Sequence, residues 1–298
     1  MMKRILPLFM LIGVIVASGC IGQTTTVQPG TNGLIISDFS SDGTTVMAGD
    51  IINLNLEAQN VGGATATNVN GNIYGVTFGT GDFDWERTQG EQSFTLATQL
   101  LPPEEGIPGE ISPPYIWVLK APRGIKSDTT YSFDVRLEYS YSTDVTGILT
   151  FVSENYWNSL SKSEKEALVS KAGVSQMSQT GGPISVTLYA GTRQRPFVVY
   201  SGLNEYHMRV TINNVGSGEP KDIITLGTPQ ASSGMSISCD TPLGGIRLSR
   251  GKTANFPCTL TLTNTNIMNK QDFTIGLSFT YDWRVDSTTD ITVKKPLT

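Results

Sequence analysis

Leu54-Asn55-Leu56-Glu57-Ala58-Gln59-Asn60-Val61-Gly62 alternates apolar and polar side chains until it reaches an Asn-Val-Gly turn. Successive side chains of an extended strand point to opposite faces, so Leu54, Leu56 and Ala58 share a buried face while Asn55, Glu57 and Gln59 meet water. The same period of two returns at Phe133, Val135, Leu137, Tyr139 and Tyr141, and again at Met208, Val210 and Ile212. It continues at Phe256, Leu260 and Leu262 and at Phe273, Ile275, Leu277 and Phe279. Ser41-Asp42-Gly43, Gly62-Gly63, Gly79-Thr80-Gly81-Asp82 and Gly216-Ser217-Gly218 break these runs with turn-forming residues at the spacing of a β-sandwich. The fold class expected is all-β.

The alternating stretch has a second copy. Leu54 to Gly62 aligns with Met208-Arg209-Val210-Thr211-Ile212-Asn213-Asn214-Val215-Gly216, and Phe133 to Tyr141 aligns with Phe273 to Tyr281. A tandem duplication follows, with two sandwiches expected at 34–153 and 184–298. Between them, Ser161-Lys162-Ser163-Glu164 has the form of a helix capping box and Gly173 that of a stop. One short helix in a linker over 154–183 is expected, with Trp157 and Leu160 against a sandwich edge.

At the N-terminus, Lys3 and Arg4 precede an apolar run from Ile5 to Ala17. That run fits a signal-peptide core and is shorter than the ~20 residues of a membrane span. The expected organisation is a signal peptide over 1–19 and a polar, flexible tether over 20–33. Ala17-Ser18-Gly19-Cys20 resembles the lipobox of secreted lipoproteins, which implies that Cys20 carries a lipid, becomes the mature N-terminus and holds the chain on the outer face of the cytoplasmic membrane.

Composition removes several functions. Without Lys3 and Arg4, 19 of the 21 basic residues remain against 26 acidic ones, a charge of −7, which phosphate backbones repel; no nucleic-acid partner is expected. One histidine, His207, and three cysteines cannot build a multi-histidine metal site or a cysteine-rich cluster. No cofactor and no metal site is expected, and no enzymatic activity.

The strand ending in Asn-Val-Gly, together with Leu100-Leu101-Pro102-Pro103 and Ile116-Trp117-Val118-Leu119-Lys120-Ala121-Pro122, resembles immunoglobulin-like modules of the CARDB type. Such modules occur in archaeal surface lipoproteins and S-layer-associated proteins. The resemblance implies two immunoglobulin-like sandwiches serving as a structural or protein-interaction module of the cell envelope, and it brings no catalytic residues. Two alternatives stand beside it: a glycan-binding surface module, and a subunit of an extracellular filament that pairs by donated strands.

The residues that chemistry could use are few. Cys239 and Cys258 share the parity of apolar neighbours, so both are expected to point inward and to form a disulfide worth roughly 3 kcal/mol in the chain-entropy model. Asp82, Asp84 and Glu86, and Asp282, Asp286 and Asp290, read as solvated acids of loops or strand ends, with calcium as the less favoured reading. Trp85, Trp117, Tyr206 and Trp283 are the aromatic candidates for stacking on sugar, with core or rim packing favoured; Trp85, in an acidic turn-rich segment, is the best candidate for exposure. Gly251-Lys252-Thr253 lacks the upstream glycine of a phosphate-binding loop, because Ile246 stands there, and reads as a turn between strands. His207 has no neighbouring nucleophile in sequence and reads as structural.

Overall fold

The computed structural model describes residues 30–171, 174–190 and 196–295. The first repeat contains β1 (Leu34–Ser41), β2 (Thr45–Met47), β3 (Ile51–Asn60), β4 (Ala66–Tyr74), β5 (Glu86–Gln89), β6 (Ser93–Leu100), β7 (Tyr115–Lys120) and β8 (Thr129–Ser153). Two helices follow, α1 (Glu154–Ser159) and α2 (Lys162–Lys171), and then β9 (Val174–Gln179). The second repeat contains β10 (Ile184–Ala190), β11 (Phe197–Val199), β12 (Glu205–Asn214), β13 (Glu219–Leu226), β14 (Gln230–Ala231), β15 (Met235–Cys239), β16 (Thr253–Leu262) and β17 (Lys270–Lys294).

These strands make three sheets: β1-β3-β7-β5, its counterpart β10-β12-β16-β15, and one nine-stranded sheet built around β17 and β8. The four-stranded sheets lie side by side over the same face of the nine-stranded one. In the first half, Phe94 of β6 meets Trp117 of β7 at 5.1 Å between ring centroids; in the second, Phe151 of β8 meets Tyr206 of β12 at 5.2 Å. The architecture is an all-β double sandwich, and the expected parity holds: Phe133, Val135, Leu137, Phe273, Ile275, Leu277 and Phe279 are all buried between the layers.

The repeats are equivalent at the turns that end β3 and β12. Asn60 Nδ2 donates to the carbonyls of Ala64 and Leu100, both at 2.8 Å, while its Oδ1 accepts from Gly62 N–H at 3.1 Å. Asn214 does the same with Gly218, Gly251 and Gly216. Each asparagine thus closes its Asn-Val-Gly turn by satisfying backbone groups that the ending strand leaves unpaired.

The long strands depart from the expected layout. β8 and β17 each run for 25 residues, and they pair with each other antiparallel from Lys270↔Val152 to Val293↔Thr129. The two sandwiches are therefore not joined by a helix alone: they share a sheet. β17 begins in the second half, crosses, and ends in the first, where Thr292 to Lys294 pair with β2. β8 crosses the other way and pairs with β9 and β11. The crossing point is Tyr141↔Tyr281, the same position of the two repeats placed face to face. At ~3.3 Å per residue the shared ribbon spans roughly 80 Å, about 40 Å on either side of that pair.

The stretch between the repeats differs likewise. It holds two helices rather than one, and then a strand. The capping box forms: Glu164 Oε2 accepts from Ser161 N–H at 2.7 Å, and Ser161 Oγ accepts from Glu164 N–H at 3.3 Å. Trp157 is half-buried under Lys165, whose ammonium lies 5.5 Å above its ring, and Leu160 borders a cavity of about 300 Å³ against Thr150 and Lys270. The expected stop at Gly173 lies outside the described residues.

Candidate functional site

Where the halves meet, the layer between the sheets is filled by phenols. Tyr139 Oη accepts from Leu34 N–H at 3.0 Å, Tyr141 Oη accepts from Ala64 N–H at 2.9 Å and donates to Gly181 O at 3.2 Å, and Thr143 and Tyr281 share a hydroxyl hydrogen bond of 2.8 Å. Trp283 Nε1 donates to Ser217 O at 3.0 Å. Burial pushes all three phenols up, Tyr141 to about 12 and Tyr139 and Tyr281 further still. Backbone donors partly offset this at Tyr139 and Tyr141. These rings form a waist that closes the gap between the two four-stranded sheets.

On the opposite face of the nine-stranded sheet, polar side chains of β8 and β17 pair across the strands. Ser132 donates to Asp290 at 2.6 Å, Ser140 to Asp282 at 2.7 Å, and Thr288 to Asp134 at 2.5 Å. Arg136 holds Asp286 through two bonds of 2.7 and 2.9 Å, and hydrogen bonding to that carboxylate raises the guanidinium pKa. Lys221 reaches Glu138 at 2.6 Å, which likewise raises the ammonium, and Arg284 reaches Glu219. A shallow groove of about 620 Å³ crosses this face at the waist, with Thr65, Ser142, Asp222, Thr280 and Asp282 on its walls. Its hydroxyls and carboxylates supply hydrogen-bonding groups, Ser140 already donating to Asp282.

The structure distributes the residues singled out in the sequence. Cys239 and Cys258 stand opposite each other on β15 and β16 and are joined by a disulfide, within one sheet rather than between sheets. Cys258 is buried and Cys239 half-buried. Asp282, Asp286 and Asp290 are not loop acids: all three lie along β17, each occupied by a cross-strand partner. Among the described residues, no three His, Cys, Asp or Glu side chains converge to hold a metal.

Trp85 corrects the expectation of exposure. It is fully buried, edge-on to Tyr131 at 5.6 Å and Phe133 at 5.0 Å, because Trp85 N–H bonds Thr77 O and folds the loop inward. Its Nε1 has no hydrogen-bond partner. Phe83, two residues earlier, is the exposed ring. Trp117, Tyr206 and Trp283 are buried as well, so none of the four aromatic candidates offers a stacking platform. Gly251-Lys252-Thr253 is a turn, with Gly251 at φ 69° and its carbonyl bonded by Asn214. His207 lies exposed on β12, 3.4 Å from Thr259 Oγ1. Cys20 lies outside the described residues, and among those described no helix is long and apolar enough to cross a membrane. The shared ribbon and its tyrosine waist had one sequence signal, the coincidence of Tyr141 and Tyr281 at the same repeat position.

No protein-family model matches the chain, and no curated protein matches it. Among solved structures, the collagen adhesin of S. aureus aligns at 10% identity over 90% of this chain and 94% of that one, with a TM-score of 0.13. The CupB6 tip adhesin of Pseudomonas aeruginosa aligns at 10% identity over 89% and 95%, with a TM-score of 0.17. The Enterococcus faecalis MSCRAMM ACE aligns at 10% identity over 88% and 95%, with a TM-score of 0.11. Scores at this level transfer neither topology nor role.

Proposed function

We propose that the chain is a lipid-anchored protein of the cell surface, held through Cys20 on the outer face of the cytoplasmic membrane, and that it serves as a non-enzymatic structural or protein-interaction module of the envelope. The observation that carries this reading is the continuous pairing of β8 with β17 through both sandwiches. A hinge between two tandem domains would let them bend independently. Here bending at the waist would have to break a two-stranded ribbon, its flanking strands and a plug of hydrogen-bonded tyrosines, so the body is stiff over roughly 80 Å. Stiffness of that kind suits a spacer or scaffold. The polar ladder of the nine-stranded sheet suits a hydrated contact with another envelope component, whereas a glycan-stacking site has lost its four aromatic candidates to the core.

The test is crosslinking on intact cells followed by mass spectrometry, with Cys20→Ser as the anchoring control. Crosslinks to a surface-lattice protein or to further copies of the chain, lost in the control, support the reading. Crosslinks confined to a transporter or a secreted enzyme would refute the structural role and make the chain an accessory subunit.

A further inference from the structure

The tether joins the body at its middle. Gly30 N–H donates to Val61 O at 2.9 Å, Gly33 O accepts from Val61 and Gly62, and Asn32 Oδ1 accepts from Ser217 N–H at 2.6 Å. These partners are the Asn-Val-Gly turns of both repeats, and Gly33 lies against Tyr139 and Tyr141, whose rings mark the midpoint of the β8–β17 ribbon. Either tip of the body is thus about 40 Å from residue 30. Ten peptide units separate Cys20 from Gly30, and a chain of that length reaches at most about 35 Å in any conformation. A body standing on one tip would leave the tether no slack, since the ribbon ends at Val152 and Thr129 lie about 36 and 40 Å from the Tyr141 crossing and the tether would have to run straight and fully extended to reach the bilayer.

We propose that the body lies side-on to the bilayer, with the two four-stranded sheets turned toward the lipid and the outer face of the nine-stranded sheet turned away from it. This rests on the anchoring of Cys20 proposed above. The turns that hold Gly30 lie on the tyrosine-bearing face of the nine-stranded sheet, the face covered by the four-stranded sheets. The loop after β6 runs beside them: Glu110 O accepts from Asn60 N–H at 3.0 Å, and Ile111 bridges Gln59. That loop exposes Leu101, Ile107 and Ile111 at 49%, 59% and 51%. Aliphatic side chains displayed together beside a membrane anchor gain by sinking shallowly into the headgroup boundary. Glu104 and Glu105 in the same loop favour an uncharged lipid surface over a strongly anionic one. The partner of this surface is therefore a neutral bilayer.

The experiment uses the chain from Cys20 onward, which contains every described residue. With Cys239 and Cys258 paired, Cys20 is its single free thiol. It is coupled to a maleimide lipid in a supported phosphatidylcholine bilayer, and the protein layer is profiled by neutron reflectometry. Two sheets stacked ~10 Å apart with their side chains make a layer roughly 30 Å thick, against roughly 80 Å for an upright body. A layer extending to the greater height overturns the orientation. The face is read by the bromolipid quenching that one added tryptophan contributes above that of the chain's own four: the increment for Ile107→Trp is expected to exceed that for Thr288→Trp on the outer face, and the reverse order overturns the assignment. The mass of the chain extracted from native membranes separates the two layers of the argument. A bare Cys20 there overturns the anchoring, whereas a lipidated Cys20 with a thick reflectometry layer overturns the orientation alone.

Discussion

Phe133→Ala tests whether the shared ribbon makes the two halves one cooperative unit. Phe133 is fully exposed to no solvent, lies 5.0 Å from Trp85, and belongs to the first half. Emptying such a site costs about 3–5 kcal/mol. Because β8 and β17 each contribute to both sandwiches, unfolding the first half strips the second of two adjacent strands, and the second cannot persist alone. The substitution should therefore lower protection against hydrogen exchange in β12 and β16, which belong to the other half, by roughly 150- to 5,000-fold at ~1.36 kcal/mol per factor of ten. The single calorimetric transition should move down by about 6–20 °C at ~2–4 °C per kcal/mol. Exchange-mass spectrometry with calorimetry reads both. If β12 and β16 keep their full protection while β3 and β7 lose theirs, the halves unfold separately and the reasoning is wrong.

The waist tyrosines give a pH dependence. Burial raises the folded pKa of Tyr139, Tyr141 and Tyr281 above the unfolded value of about 10, so the stability they lend is whole below pH 10 and drains away as pH climbs through about 12 for Tyr141. At pH 11 the three together cost up to about 4 kcal/mol, and phenolate absorbance should show them ionising with unfolding; free titration of all ten tyrosines near pH 10 in the folded chain would contradict their burial. Asn60→Ala, which strands two carbonyls and an N–H in a buried turn, should cost about 3 kcal/mol, and Asn214→Ala, whose equivalent turn is more exposed, about 1 kcal/mol by urea denaturation. Reducing Cys239–Cys258, which closes a separation of 19 residues, should lower stability by about 3 kcal/mol; alkylation of both cysteines in the denatured, unreduced chain would show that the bridge is absent.

Much of the fold was legible because strand parity is a local property. Phe133 to Tyr141 and Phe273 to Tyr281 alternate so regularly that face and burial follow from the sequence. Cys239 and Cys258 followed their apolar neighbours for the same reason. Strand length did not follow. Ser142, Thr143 and Asp144 are turn-favouring residue types, yet β8 runs straight through them, and Thr143 finds a buried partner in Tyr281, 138 residues away. Nothing local to residue 143 announces that partner. Trp85 failed similarly: its acidic neighbours Asp82 and Asp84 suggest solvent, while the bond to Thr77 O and the rings of Tyr131 and Phe133, distant in sequence, draw it inside. The tyrosine waist was beyond local reading for a related reason, because it is assembled from both repeats at once.

The Tyr141↔Tyr281 crossing makes the molecule equivalent to two copies of one unit related by a twofold axis, each having passed its last strand to the other. Before duplication, a gene encoding one such unit would have specified a homodimer held by strand exchange, with assembly governed by protein concentration. Carried on one chain, the same exchange is an intramolecular step independent of concentration, and the halves differ where the exchange does not constrain them: the second holds the disulfide and the first the proline-rich loop, while both have the asparagine that closes the turn.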